Sequence, residues 1–150
     1  MSIFNAINAS TSGLTAGRLR MDVVSSNIAN AQNTRATTNE NGEYEPYRRK
    51  LVVTAPQDNS FQSFLHKAQN ANSNPSGVEV TNIIEDETPF KLEYNPEHPD
   101  ANEAGFIELP NVDPLKEMVD LMSATRSYEA NITSLNASKS MLMKALEIGK

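Results

Sequence analysis

The stretch DPLKEMVDLMSATRSYEANITSLNASKSMLMKALEIG, residues 113–149, predicts one long α-helix. Asp113 is a favoured N-cap residue, Pro114 suits the first helical position, and Gly149 is typical of a helix end. No Gly or Pro interrupts residues 115–148, so at about 1.5 Å per residue the helix would be about 50 Å long. Residues spaced by three and four form a heptad stripe with seven apolar positions of nine, the period of a coiled-coil seam. The stripe consists of Met118, Leu121, Thr125, Tyr128, Ile132, Leu135, Lys139, Leu142 and Leu146.

The N-terminal segment, residues 1–31, has the same period and predicts a helix about 40 Å long. Six of the eight positions in its stripe are apolar, and the two exceptions are small residues that would let another backbone approach closely. The stripe consists of Ile3, Ile7, Ser10, Leu14, Gly17, Met21, Val24 and Ile28.

Residues 32–110 favour β structure and contain seven of the eight prolines. Asn41-Gly42 is a strong hairpin-turn signal, and a polar loop over residues 57–77 is expected to contain a short helix around Phe61. Runs of β-branched or alternating residues predict strands at 47–54, 78–84, 90–94 and 106–109.

We therefore predict an α+β protein in which two long terminal α-helices pack as a coiled-coil hairpin, with a small β-rich insert domain between them. Residues 1–31 and 111–150 would form the helical domain. Residues 32–110, including the polar loop at 57–77, would form the β-rich middle domain.

Composition narrows the functions that are open to this chain. Its 150 residues suit one modest domain, and a net charge of −6 argues against nucleic acid or an anionic membrane as the main partner. The acidity belongs to residues 32–110, which carry −7, whereas residues 1–31 carry +1 and residues 111–150 are neutral. The apolar runs are too short for a transmembrane helix.

Chemical motifs are scarce. The chain has no Cys, so thiol chemistry and zinc-thiolate sites are excluded. Glu85-Asp86-Glu87 lacks the spacing and the Gly of a calcium loop and predicts a solvated acidic turn. The basic run Tyr47-Arg48-Arg49-Lys50 favours a salt-bridging patch over a nucleic-acid site. We expect no catalytic residues, no cofactor and no metal site.

Apolar residues also lie outside the two seams. If the two helices pack on each other within one chain, they cover only the seams. One partner helix cannot cover the other faces of a helix, so these residues indicate contacts with other subunits. They are Val23, Ala29, Leu115, Val119, Met122, Met141 and Met143.

Both ends of the chain resemble the flagellar axial proteins, the rod and hook family. The N-terminal stretch SGLTAGRLRMDVVSSNIANA, residues 12–31, resembles the signature of that family, and the motifs EMV, RSYEAN and KALEIG resemble its closing helix. The middle resembles the proximal-rod subunits through PYRRK at 46–50, GVEV at 77–80, YNPEHPDA at 94–101 and LPNVDP at 109–114.

The resemblance implies a structural, non-enzymatic subunit of the bacterial flagellar basal-body proximal rod, the drive shaft that transmits torque for motility. It implies export from the cytoplasm through the flagellar type III apparatus, which agrees with the lack of signal-peptide features in residues 1–6. The implied partners are copies of itself, other proximal and distal rod proteins and the rod-base/MS-ring junction protein, with no nucleic acid and no small-molecule substrate.

The site predicted from these observations is a set of helix contacts. Packing within and between subunits is assigned to Ile3, Ile7, Leu14, Met21, Val24, Ile28, Met118, Leu121, Tyr128, Ile132, Leu135, Leu142 and Leu146. Polar contacts between subunits are assigned to Arg18, Asp22, Asn27, Asn30, Arg126, Glu129 and Asn131.

Two other classes stay open at this point. A small secreted helical binding module of the adhesin type would be a monomer or dimer that does not co-purify with basal bodies. A wall-cutting hydrolase comes third, because the carboxylates cluster in turns and form no convincing acid pair.

Overall fold

A computed structural model describes residues 3–39, 42–57, 77–102 and 104–149, apart from the side chain of Ile3. The short helix expected around Phe61, and all of the polar loop except its two ends, lie outside the described residues.

Two long helices occupy the two ends of the chain, as predicted. Helix α1 spans Ile3–Ala29 and helix α2 spans Pro114–Ile148. Asp113 caps α2, because its Oδ1 accepts a hydrogen bond from the Leu115 amide at 3.0 Å. Helix α2 ends one residue before Gly149, so the predicted start and stop signals are both confirmed.

Six strands follow one another between the helices in the described part of the chain. They form two-stranded sheets, which pair β1 with β2, β3 with β4 and β5 with β6. The strands are β1 (Thr37–Thr38), β2 (Tyr44–Glu45), β3 (Lys50–Pro56), β4 (Val78–Glu85), β5 (Lys91–Tyr94) and β6 (Phe106–Leu109).

The strand predictions are confirmed in position, with boundaries that shift by one to three residues in β3, β4 and β5. Strand β3 begins at Lys50 rather than at Tyr47, because the Tyr47 amide donates a hydrogen bond to the Asn33 carbonyl at 3.0 Å. The expected hairpin turn separates β1 from β2, which pair antiparallel, and Gly42 in this turn has a φ of +83°. The α+β class is therefore confirmed.

The contacts within the chain divide it into two compact units. Unit 1 comprises Met1–Arg20, Val53–Asn82 and Ser123–Lys150, and unit 2 comprises Met21–Val52 and Ile83–Met122.

In unit 1, helices α1 and α2 approach each other at two glycines. A Cβ placed on Gly13 would lie 2.8 Å from Asn131 Nδ2, and one placed on Gly17 would lie 3.8 Å from Tyr128 Cδ2. Gly13 faces Asn131, whereas Gly17 faces Tyr128, which comes earlier in α2, so the two helices run antiparallel here. The coiled-coil form of this packing stays a prediction.

Unit 2 contains a small apolar core. Its buried apolar side chains come from α1, from the segment before β3, from β6 and from the loop that leads into α2. They are Val23, Val24, Tyr47, Ile107 and Val112.

Neither described helix contains a stretch apolar enough to cross a lipid bilayer.

Two glycines of unit 2 have left-handed backbone conformations and form a matched pair. Replacing Gly105 with alanine should lower the free energy of unfolding by about 2–3 kcal/mol, because a φ of +78° disfavours an L-residue and the new Cβ would lie 2.9 Å from Tyr94 Cε2. Gly42→Ala should cost only about 1 kcal/mol, because its φ of +83° is similar but nothing lies within 4 Å. Urea denaturation followed by circular dichroism measures both, and equal losses would contradict the steric argument.

Candidate functional site

Asn27 of α1 lies at the centre of a buried polar network in unit 2, and its side chain is only 1% exposed. Its Nδ2 donates to the Lys50 carbonyl at 2.9 Å and to Glu117 Oε2 at 3.0 Å. Its Oδ1 accepts from the Tyr47 hydroxyl and from the Lys50 amide, both at 3.0 Å. All four hydrogen-bonding positions of this amide are therefore occupied by partners in the same chain.

Glu117 in the first turn of α2 is fully buried and holds the other side of the network. Its Oε1 accepts from Arg49 Nε at 2.7 Å and lies 2.6 Å from Arg49 Nη2. The same guanidinium lies 3.5 Å from Asp86 Oδ2 and 3.6 Å from Asp120 Oδ2. Arg49 of the basic run thus forms ion pairs of the kind predicted for that run.

Asn111 ties the loop before α2 to this cluster. Its Oδ1 accepts from the Arg49 amide at 2.8 Å, and its Nδ2 donates to the Asp86 carbonyl at 3.0 Å and to the Thr88 carbonyl at 3.1 Å. Asp86 of the acidic turn is therefore part of the network and half-buried, whereas Glu85 and Glu87 are exposed, as predicted for a solvated turn.

The charges of the network stabilise one another. Burial lowers the pKa of Arg49, but the hydrogen bonds and charges of Glu117 and Asp86 outweigh it and raise that pKa above its ordinary value. The Thr88 hydroxyl donates to Asp86 Oδ1 at 2.6 Å and the Thr88 amide at 3.0 Å. These bonds, together with Arg49, lower the pKa of Asp86 despite its partial burial.

This arrangement is built to hold elements together. In the described residues no buried side-chain nitrogen or oxygen lacks a hydrogen-bond partner, as is usual for polar groups that hold a fold together. Within those same residues, no group of three His, Asp or Glu side chains could hold a metal ion.

One predicted assembly contact needs correction. The prediction that Asn27 forms polar contacts between subunits is wrong, because its side chain is buried and fully hydrogen-bonded within the chain. Asn30 Nδ2 donates to the Ser26 carbonyl at 2.9 Å, and Asn131 is half-buried against Gly13. The four charged residues of the same prediction lie at the surface: Arg18, Asp22, Arg126 and Glu129.

The predicted seam is unevenly covered. In α1, Val24 is buried, and Ile7, Leu14, Met21 and Ile28 are half-buried. In α2, four members are half-buried and three are exposed. The half-buried ones are Leu121, Tyr128, Leu135 and Leu142, and the exposed ones are Met118, Ile132 and Leu146.

Helix α2 presents an apolar surface in each unit. In unit 2 the exposed residues are Leu115, Met118, Val119 and Met122, whose spacing of three and four places them on one helix face, here called the α2 apolar face. In unit 1 the large exposed apolar residues of α2 are Ile132, Met141, Met143, Leu146 and Ile148.

Comparison with known proteins identifies the family. The family described as "Flagella basal body rod protein" matches residues 7–37, and "Flagellar basal body rod FlgEFG protein C-terminal" matches residues 103–148. The chain is 56% identical over 151 residues to the flagellar basal-body rod protein FlgC of Bacillus subtilis strain 168, with all of both chains covered. The chain belongs to the FlgC family of flagellar basal-body rod proteins.

Other FlgC proteins are similar over almost their whole length. The identity is 44% to FlgC of Borreliella burgdorferi, which covers 99% of this chain and 98% of the relative. It is 41% to FlgC of Escherichia coli O6:H1, with all of both chains covered. The predicted resemblance to the flagellar axial proteins is confirmed, and the chain is a structural rod subunit of the flagellar basal body.

Both central residues of the network lie in segments that match the rod families, Asn27 in 7–37 and Glu117 in 103–148. The sequence patterns did not identify Glu117 or Arg49 as site residues, and they predicted that Asn27 contacts other subunits. A usable signal was present, because Asn27 follows the buried Val23 and Val24 by four and three residues and so shares their helix face.

Removing the Asn27 side chain should strongly destabilise the protein. Asn27→Ala leaves buried groups of Tyr47, Lys50 and Glu117 without their partner, so we expect a loss of about 3–5 kcal/mol in the free energy of unfolding. Asn136→Ala is the matched control, since this asparagine is an exposed residue of the same type on a helix, and it should change stability by less than about 0.5 kcal/mol. Thermal and urea unfolding measure both, and similar small effects would show that the network contributes little.

Acid should weaken unit 2 through two aspartates. The pKa of Asp100 is lowered chiefly by hydrogen bonds from Arg35 and Thr34, as that of Asp86 is by Thr88. A carboxyl with a lowered folded-state pKa stabilises the fold at pH values above its ordinary pKa of 3.8, and that contribution is lost as the pH falls through the lower folded-state pKa. We therefore expect stability to fall below about pH 4.

Urea midpoints between pH 7 and pH 2 test this expectation. The double variant Asp86→Asn, Asp100→Asn should be less stable at pH 7 and should lose less stability on acidification than the native chain. An unchanged pH dependence in the double variant would rule out these two carboxyls as its source.

Proposed function

We propose that this FlgC-family chain is a proximal-rod subunit that assembles helically, through its terminal helices, with copies of itself and with other rod proteins. The observation that carries the proposal is the α2 apolar face, where every member is more than half exposed. Contiguous apolar surface of this kind is typical of a face that other chains cover.

The remaining surface of the helices suits the same role. In unit 1, α2 exposes further apolar residues, including Met141 and Leu146. The exposed charges at Arg18, Asp22 and Arg126 would give polar contacts between subunits. Head-to-tail contacts that do not close generate a helical tube, and such a tube can act as a drive shaft that transmits torque.

The buried network supports this role from within. Because Asn27, Arg49 and Glu117 join α1, the start of β3 and α2 in unit 2, load applied to one of these elements reaches the others through short, fully paired contacts. A subunit that transmits torque needs such internal stiffness. We propose that the network supplies this stiffness and takes part in no catalytic step.

The remaining features of the proposal come from the family resemblance. The chain would leave the cytoplasm through the flagellar type III export apparatus without a cleaved signal peptide. Its neighbours would be proximal and distal rod proteins and the rod-base/MS-ring junction protein. It would have no enzymatic activity and no cofactor.

The α2 apolar face provides the test. The double variant Met118→Asp, Met122→Asp should keep monomer stability within about 1 kcal/mol, because both side chains are already exposed. In a motile strain whose own copy is deleted, this variant should fail to restore swimming in soft agar and should be absent from purified basal bodies. Ser123→Asp, an exposed polar position directly beside Met122, should restore both.

The outcomes separate the alternatives. Normal swimming and normal incorporation of the double variant would reject this face as an assembly interface. If the deletion strain swims without any complementation, the proposed rod function is rejected. That result would favour the alternative of a secreted binding module.

A further inference from the structure

The β5–β6 ribbon of unit 2 has an exposed aromatic face. In its antiparallel register Tyr94 lies opposite Phe106 and Leu92 opposite Glu108, so these four side chains share one face. Leu92 and Tyr94 are each 65% exposed, and Phe106 is 41% exposed. The opposite face carries Ile107, which is buried in the core of unit 2.

A cavity of about 470 Å³ adjoins this face and is lined by aromatic rings and carboxylates. We call it the acidic groove and define it by Glu43, Tyr44, Asp100, Phe106 and Glu108. No lysine or arginine lines it in the part of the chain that the structure describes.

Contacts of Arg35 within the chain show which kind of side chain binds to the tyrosine and the aspartate of the acidic groove. The Arg35 guanidinium lies 5.2 Å from the centre of the Tyr44 ring, and its Nε donates to Asp100 Oδ1 at 2.7 Å. An aromatic ring next to a carboxylate is a good site for a planar guanidinium, which stacks on the ring and forms directed ion pairs. Glu43 and Glu108 form no ion pair with the described residues and are therefore available for a second cation.

Charge is divided unequally between the two units. Unit 2 contains fifteen acidic and six basic residues, for a net charge of −9, whereas unit 1 contains four acidic and seven basic residues, for +3. The side chains of Arg18 and Arg126 of unit 1 are exposed and form no hydrogen bond or ion pair with described residues. A second copy of the chain thus carries the cations that match the groove.

We propose that the acidic groove of one subunit binds an exposed arginine, Arg18 or Arg126, on unit 1 of a second copy. This inference rests on the proposed self-assembly and adds an electrostatic head-to-tail contact to it. Because the groove and the arginine are different surfaces of the chain, the contact can be made head-to-tail and can then propagate along a chain of subunits. A groove-to-groove contact would instead bring Glu43 and Glu108 of both copies together and is disfavoured by like-charge repulsion.

Charge reversal with rescue tests the contact in solution. Glu108→Lys should weaken self-association of the full chain, measured by sedimentation velocity at low salt, by about tenfold or more, as expected for a lost ion pair that becomes a repulsion. Adding Arg18→Glu or Arg126→Glu to the same chain should restore it, and the rescuing substitution identifies the bound arginine. Glu97→Lys is the matched control, because it makes the same charge change on an exposed glutamate of unit 2 outside the groove.

Each contrary result overturns the inference. A native chain that stays monomeric up to about 1 mM has no such contact, because that limit corresponds to less than about 4 kcal/mol of binding. If Glu97→Lys weakens association as much as Glu108→Lys, net charge is responsible and the groove is not. Failure of both arginine substitutions to rescue Glu108→Lys excludes the assigned partners.

Basal-body incorporation separates this inference from the proposed function. If Glu108→Lys incorporates and supports swimming normally while Met118→Asp, Met122→Asp does not, the groove contact is wrong and the rod function stands. If the chain is dispensable for swimming altogether, the proposed function fails independently of the groove.

Discussion

Unit 2 depends on one buried side-chain amide, that of Asn27. It joins helix α1 to the backbone of Lys50, to the Tyr47 hydroxyl and to Glu117 of α2, with all its hydrogen-bonding positions occupied. A buried polar group is costly when any partner is missing, so only one alignment of these elements satisfies it. The contact therefore favours a single arrangement of these elements.

Helix α2 combines this buried polar residue with an exposed apolar face. Glu117 is buried among Asn27 and Arg49, whereas its neighbours Met118 and Val119 are more than half exposed. An isolated globular domain would favour the reverse arrangement. In a rod subunit of the FlgC family this arrangement suits the proposed assembly, in which neighbouring chains would cover the apolar face.

Much of the architecture follows from local sequence. Asp113, Pro114 and Gly149 fix the limits of α2, because capping and backbone conformation depend on adjacent residues. The turn at Gly42 and the positions of the strands were also predictable. The start of β3 was not, because the amide of Tyr47 binds the Asn33 carbonyl, a partner outside the sheet.

The sequence by itself determined the helix limits, the β-rich middle, the acidity of that middle and the resemblance to flagellar axial proteins. Only the tertiary structure decided which polar residues are buried. Helical periodicity places Asn27 near Val23 and Val24, but it cannot supply Glu117, which lies 90 positions away and completes the hydrogen bonds that permit burial. The periodicity of one helix reports spacing along that helix, whereas the burial of a polar group depends on partners that only the folded chain brings together.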